Sequence, residues 1–137
     1  MNHIFTVTKQ IFKTVKIMHD RGIYHLDLKP ENILYDGSQN IKILDLGTAQ
    51  QVLDRRNPVC FVAERTELFS LRSDLRFGEV NGEKYDVYSL GCTLYNLATG
   101  SYLQRPLKCG SNEYLGLAYD YCILLADLIY HMTAENV

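Results

Sequence analysis

Apolar residues recur along this chain with changing periods, and the changes mark its elements. Ile4, Val7, Ile11, Val15 and Met18 follow one another at steps of three and four, which aligns them on one helix face, while Lys9, Lys13 and Lys16 fill much of the rest. The helix is expected to stop at Asp20-Arg21-Gly22, because a glycine past the last turn accepts the left-handed conformation of a C-cap. A loop follows from Tyr24 to Asn32, where Pro30 lacks a backbone donor and keeps Lys29 out of helical geometry. The β-rich runs 33–35 and 41–44, joined by Asp36-Gly37-Ser38-Gln39-Asn40, predict a small hairpin.

Between Thr48 and Lys84 no period is sustained, charges are frequent and Asn81-Gly82 reads as a turn, so a long exposed connection is expected. Helical spacing returns with Val87, Leu90, Leu94 and Leu97, and predicts a deeply buried helix over 86–99 that ends at Gly100. Cys122, Leu125, Ile129 and Met132, with Leu124 and Leu128 widening the apolar face, predict a final helix over 119–133. The expected fold is mainly α with a small β-hairpin, in one domain over 1–137.

Composition adds little. Hydrophobic residues make up 47% and charged residues 22% of the 137, as in ordinary globular chains. A net charge of −2 gives no general drive toward nucleic acid or anionic lipid, and neither is expected as a partner. No apolar run, Cys122 to Ala126 included, approaches the ~20 residues that cross a bilayer. The start of the chain lacks the compact apolar stretch of a secretory signal, so an intracellular location, cytoplasmic or nuclear, is expected. Cys60, Cys92, Cys109 and Cys122 are scattered without metal-site spacing and are expected as reduced thiols.

The chemistry is concentrated in His25-Leu26-Asp27-Leu28-Lys29-Pro30-Glu31-Asn32, followed thirteen residues after Asn32 by Asp45-Leu46-Gly47. The first run resembles the protein-kinase catalytic loop H-R-D-L-x-x-x-N at every defined position except Leu26, and the second is similar to D-F-G. Asp86-Val87-Tyr88-Ser89-Leu90-Gly91 is similar to the D-x-W-S-x-G opening of that family's large buried helix. The resemblance, to the serine/threonine branch because of Lys29, implies a protein-kinase-like C-lobe with its N-lobe absent. It divides the chain into a catalytic loop 25–32, a metal-binding D-L-G at 45–47 and an activation-type loop 48–84.

The resemblance also implies roles. Asp27 would orient a protein serine or threonine hydroxyl and accept its proton, and Lys29 would lie beside the transferring phosphoryl group. Asn32 and Asp45 would hold Mg²⁺ against the phosphates of ATP, hard oxygen ligands for a hard cation. His25, Gly47 and Asp86 would be structural supports. His3, His19 and His131 show no catalytic partner in the sequence and are expected as surface or packing residues. Thr48, Thr66, Ser70 and Ser73 are expected as solvated polar residues.

Departures from the pattern set the alternatives. No G-x-G-x-x-G loop or V-A-I-K lysine occurs, so a separate chain supplying the N-lobe enters as a partner. Leu26 replaces the arginine that often pairs with a phosphorylated activation loop. The A-P-E motif is unrecognisable at Val62-Ala63-Glu64 or Ser70-Leu71-Arg72-Ser73, and the family's late arginine is not found. Three readings follow: a kinase module incomplete by itself, a noncatalytic pseudokinase or interaction module, and an unrelated helical hydrolase using Asp27 and Asp45 as paired carboxylates.

Overall fold

The computed structural model describes residues 2–38, 40–63, 69, 78–103, 106–121 and 123–134. Helix α1 runs Asn2–His19 and buries Ile11 and Val15, with Ile4, Val7 and Phe12 half-buried beside them. It ends where Gly22 adopts φ +69°, a conformation that strains any residue with a Cβ. A Cβ at Gly22 would also strike the Val52 carbonyl, and Val52 N donates to Gly22 O at 2.8 Å. The chain can turn there only because the residue is glycine.

Among the described residues three two-stranded antiparallel sheets follow, where a single hairpin was expected. β1 (Ile23–Tyr24) pairs with β4 (Gln50–Gln51), and β2 (Ile33–Tyr35) with β3 (Ile41–Ile43) in the register Ile33↔Ile43. The β2–β3 turn is closed by Asp36, whose Oδ1 accepts from Ser38 N at 2.8 Å and Asn40 N at 3.2 Å. Those bonds, with the side chains of Asn40 and Ser38 first, hold the Asp36 carboxyl well below the usual carboxylate range. β5 (Val59–Val62) pairs with β6 (Gly78–Asn81).

The activation-type loop 48–84 is therefore only partly a loop. It contains β4, β5, β6 and the first turn of α2 (Gly82–Thr99), which begins four residues before the expected 86. Asn81 explains the shift: it ends β6 and also caps α2, its side chain accepting from Lys84 N at 3.0 Å. Helix α2 is the centre of the main core, with Tyr88, Leu90, Cys92, Leu94 and Tyr95 buried.

The single final helix expected over 119–133 is two helices, α3 (Asn112–Asp120) and α4 (Ile123–Met132). Tyr121 closes α3, its N–H donating to Leu117 O at 3.0 Å, and its hydroxyl donates to the Ala98 carbonyl of α2. Leu125, Ile129 and Met132 pack inward, Leu128 is half-buried, and Leu124 is 72% exposed, so it does not widen the buried face. Cys122, Glu64 and the Ser70-Leu71-Arg72-Ser73 run lie outside the described residues, as do Thr66 and Glu135-Asn136-Val137. None of the described helices is long and apolar enough to cross a membrane.

Candidate active site

The site is assembled around one buried carboxylate. Asp86, in the second turn of α2 and 1% exposed, accepts from Leu26 N at 2.8 Å through Oδ1 and from His25 N at 2.8 Å through Oδ2. A third donor, His19 Nε2, reaches Oδ2 at 2.8 Å from the last residue of α1. A buried carboxylate is tolerable only when its lone pairs are satisfied, and these three bonds supply that. They also fix the backbone of the loop that carries Asp27.

Leu26 shows the force of that grip. Its φ is +66°, a left-handed conformation that costs a residue with a Cβ about 1–2 kcal/mol. The two amides on Asp86 flank this residue and hold it there. His25, fully buried, works from the other side: its Nε2 donates to Leu44 O at 2.9 Å, and its Nδ1 accepts from Asp27 N at 3.2 Å. Thr48 Oγ1 adds a bond to His25 O at 3.0 Å. The imidazole thus spans the loop and the strand leading to Asp45.

Asp27, Lys29 and Asn32 are brought together. Asn32 Nδ2 donates to Asp27 O at 2.9 Å and to Asp27 Oδ2 at 3.3 Å, while Lys29 Nζ lies 3.0 Å from the same Oδ2. Asn32 closes a 3₁₀ turn, Pro30–Asn32, that Pro30 opens with its preset φ. Asp45 reaches this cluster through the backbone. The β2–β3 register continues one step beyond Ile33↔Ile43, with Leu44 N donating to Asn32 O at 2.8 Å, and Asp45 is the next residue. Its φ of +59° is one that aspartate tolerates, and Oδ1 accepts from Gly47 N at 3.2 Å.

The donor chemistry suits magnesium. Asn32 commits its NH₂ to Asp27, which leaves the carboxamide oxygen as the end that can face a cation, and the Asp45 carboxylate is exposed. Among the described residues no group of three or more His, Cys, Asp or Glu could hold a metal alone. A cation here would complete its shell from water and phosphate oxygens, as Mg²⁺ commonly does.

His19 is the residue that sequence reading missed. It was expected as a surface or packing residue, yet it supplies one of three bonds to Asp86 and packs at 5.0 Å on the Tyr24 ring. Its partner is sixty-seven positions away, so no local spacing could have revealed the pair. The one usable signal is its place in the last turn of a helix immediately before the loop.

The family model for the protein kinase domain matches residues 1–115. The chain is 38% identical over 114 residues to the serine/threonine-protein kinase PKH2 of Candida albicans, covering 77% of this chain and 12% of that protein. It is 33% identical over 111 residues to the serine/threonine-protein kinase PDK1 of Cryptococcus neoformans var. grubii, covering 77% and 9%. With the 3-phosphoinositide-dependent protein kinase B of Dictyostelium discoideum it shares 36% identity over 114 residues, covering 77% and 11%. The aligned stretch thus spans about a tenth of the length of these relatives.

Proposed function

This chain belongs to the protein kinase domain family, and from that membership we propose that loop 25–32 and Asp45 form the catalytic half of a site transferring phosphate from ATP to serine or threonine of proteins. The observation that carries the proposal is the convergence of the Asn32 amide and the Lys29 ammonium on Asp27 Oδ2, at 3.3 and 3.0 Å. In this reading Asp27 orients the acceptor hydroxyl and takes its proton as the new O–P bond forms and the P–O bond between the γ- and β-phosphates of ATP breaks to release ADP, a role worth roughly 10²–10⁴-fold in rate. Lys29 places a positive charge where the transferring phosphoryl group accumulates negative charge. Asn32 and Asp45 would hold Mg²⁺, which when bound neutralises phosphate charge. Asp86, His25 and His19 contribute rigidity, holding the backbone at Asp27 so that the carboxylate need not be reoriented during reaction.

A lobe bearing a glycine-rich loop and a strand lysine, in cis or on a separate chain, would complete the nucleotide site. The test is transfer of labelled phosphate from Mg-ATP to a generic serine/threonine substrate by this chain joined to such a lobe. Asp27→Asn is expected to lower the rate by about 10²–10⁴-fold. Equal rates for the two proteins would reject the assignment.

One observation favours a binding role instead. Tyr119 of α3 is 91% exposed and Leu124 of α4 72% exposed, with Leu115 and Ile123 also uncovered, and exposed large apolar side chains are what interaction modules use where they cluster. Under that reading Tyr119→Ser with Leu124→Ser abolishes co-purification of a partner while phosphate transfer is absent throughout; unchanged co-purification would reject it.

A further inference from the structure

We propose that an apolar latch, formed by Leu26 of the catalytic loop with Cys60 and Val62 of β5, holds the β5–β6 ribbon against that loop without any phosphate. Kinase activation loops are commonly ordered by new pairs between arginine and a phosphorylated residue. Position 26 cannot form such a pair here, because it is a leucine and is 4% exposed. It belongs with Tyr24, Cys60, Val62 and Tyr85 to a second core distinct from the main one, with Val52 and Val80 packed at its edge.

Strand alternation builds this core. Cys60 and Val62 of β5 point inward and are buried, whereas Val59 and Phe61 point outward and are exposed. Cys60 acts as an apolar body: burial first, and then the nearby Asp86 carboxylate, push its thiol pKa up and keep it neutral.

Two polar devices set the register. The Gln50 carboxamide donates through Nε2 to Phe61 O and accepts from Phe61 N at 2.9 Å, so one side chain takes the place of a neighbouring strand on the outer edge of β5. On the other side Gly82 N donates to Pro58 O at 2.8 Å. Gly82 leaves no room for a Cβ, which would meet Tyr24 Cγ at 2.6 Å and Cys60 Sγ at 2.7 Å. Loop, ribbon and the start of the helix that carries Asp86 are thereby packed as one body. The latch goes beyond the phosphoryl-transfer reading, since its readout is local order and requires no activity.

Hydrogen–deuterium exchange on the 137-residue chain tests it. Amides 59–62 are expected to show the same protection before and after phosphatase treatment. Protection is also expected to hold from about 0.05 to about 1 M salt, because apolar contact is not screened as charge pairs are. Leu26→Arg buries an unpaired guanidinium among apolar side chains and is expected to speed exchange at 59–62 by about tenfold or more, with α2 and α4 still protected. Leu26→Met keeps the volume and is expected to exchange at the wild-type rate. Should Leu26→Arg fail to fold, Leu26→Ala replaces it, with exchange at 59–62 again expected to rise. Loss of protection on phosphatase treatment or at high salt overturns the latch, and so does unchanged exchange in the variant that folds.

Discussion

Replacing Asp86 by asparagine keeps the shape of the side chain but removes its charge and one acceptor. In the native protein Oδ1 takes the Leu26 N–H, and Oδ2 takes both the His25 N–H and His19 Nε2, each at 2.8 Å. An amide retains most by leaving its oxygen at the Oδ2 position. Its NH₂ then faces the Leu26 N–H, donor against donor. One hydrogen bond to a charged acceptor is lost, about 1.5–3 kcal/mol, and a buried donor is left unpaired, about 1–3 kcal/mol more. Relaxation of Leu26 out of its left-handed conformation returns about 1–2 kcal/mol. The net cost is roughly 0.5–5 kcal/mol, at or below a typical domain stability of about 5–15 kcal/mol. The variant is expected to fold, to unfold at lower urea, and to exchange the amides of His25 and Leu26 much faster than those of α4. A loss below about 0.5 kcal/mol, the level of an ordinary surface change, would refute this account of how the loop is held.

Other consequences are independent of that grip. Burial pushes the Cys92 thiol up to about 11 and raises that of Cys60, so alkylation followed by mass spectrometry at pH 8 should label exposed Cys109 and spare these two until denaturant is added. The hydrogen bond to Asp127 pushes the Tyr114 hydroxyl up from 10.0 to about 12, which favours the neutral phenol in the fold. Its support of the α3–α4 contact is therefore whole below pH 10.0 and lost as pH rises through about 12; Tyr114→Phe should remove this pH dependence of α3 exchange. Gly22→Ala should cost more than about 1 kcal/mol in urea denaturation, since both the backbone angle and the Val52 carbonyl oppose a Cβ.

Legibility in the sequence followed the range of the interactions. Periodic apolar residues marked α1 and the body of α2, because a helix face is written locally at steps of three and four. The run Asp27 to Asn32 likewise carries its own signal, and its charged and amide groups lie within one short loop. His19 was invisible because the partner that gives it meaning lies on another helix. β5 was missed for a different reason: Val-Cys-Phe-Val alternates in burial but not in polarity, so an exposed Phe61 and a buried Cys60 look alike on paper. The final helix was drawn as one because Leu124 is as apolar as Leu125, although tertiary packing leaves Leu124 in solvent. Asn81 was read as a turn residue when it caps a helix, two roles that the same side-chain chemistry serves.

The most direct measurement is paramagnetic broadening of the isotopically labelled chain, joined to a lobe that completes the nucleotide site, by Mn²⁺, a substitute for Mg²⁺, added together with a nonhydrolysable ATP analogue. Resonances of Asn32 and Asp45 are expected to broaden first and that of Asp27 close behind, with α4 unaffected and the effect lost in Asp45→Asn. Uniform broadening, or none at Asn32 and Asp45, would contradict the proposal that these two side chains hold the metal.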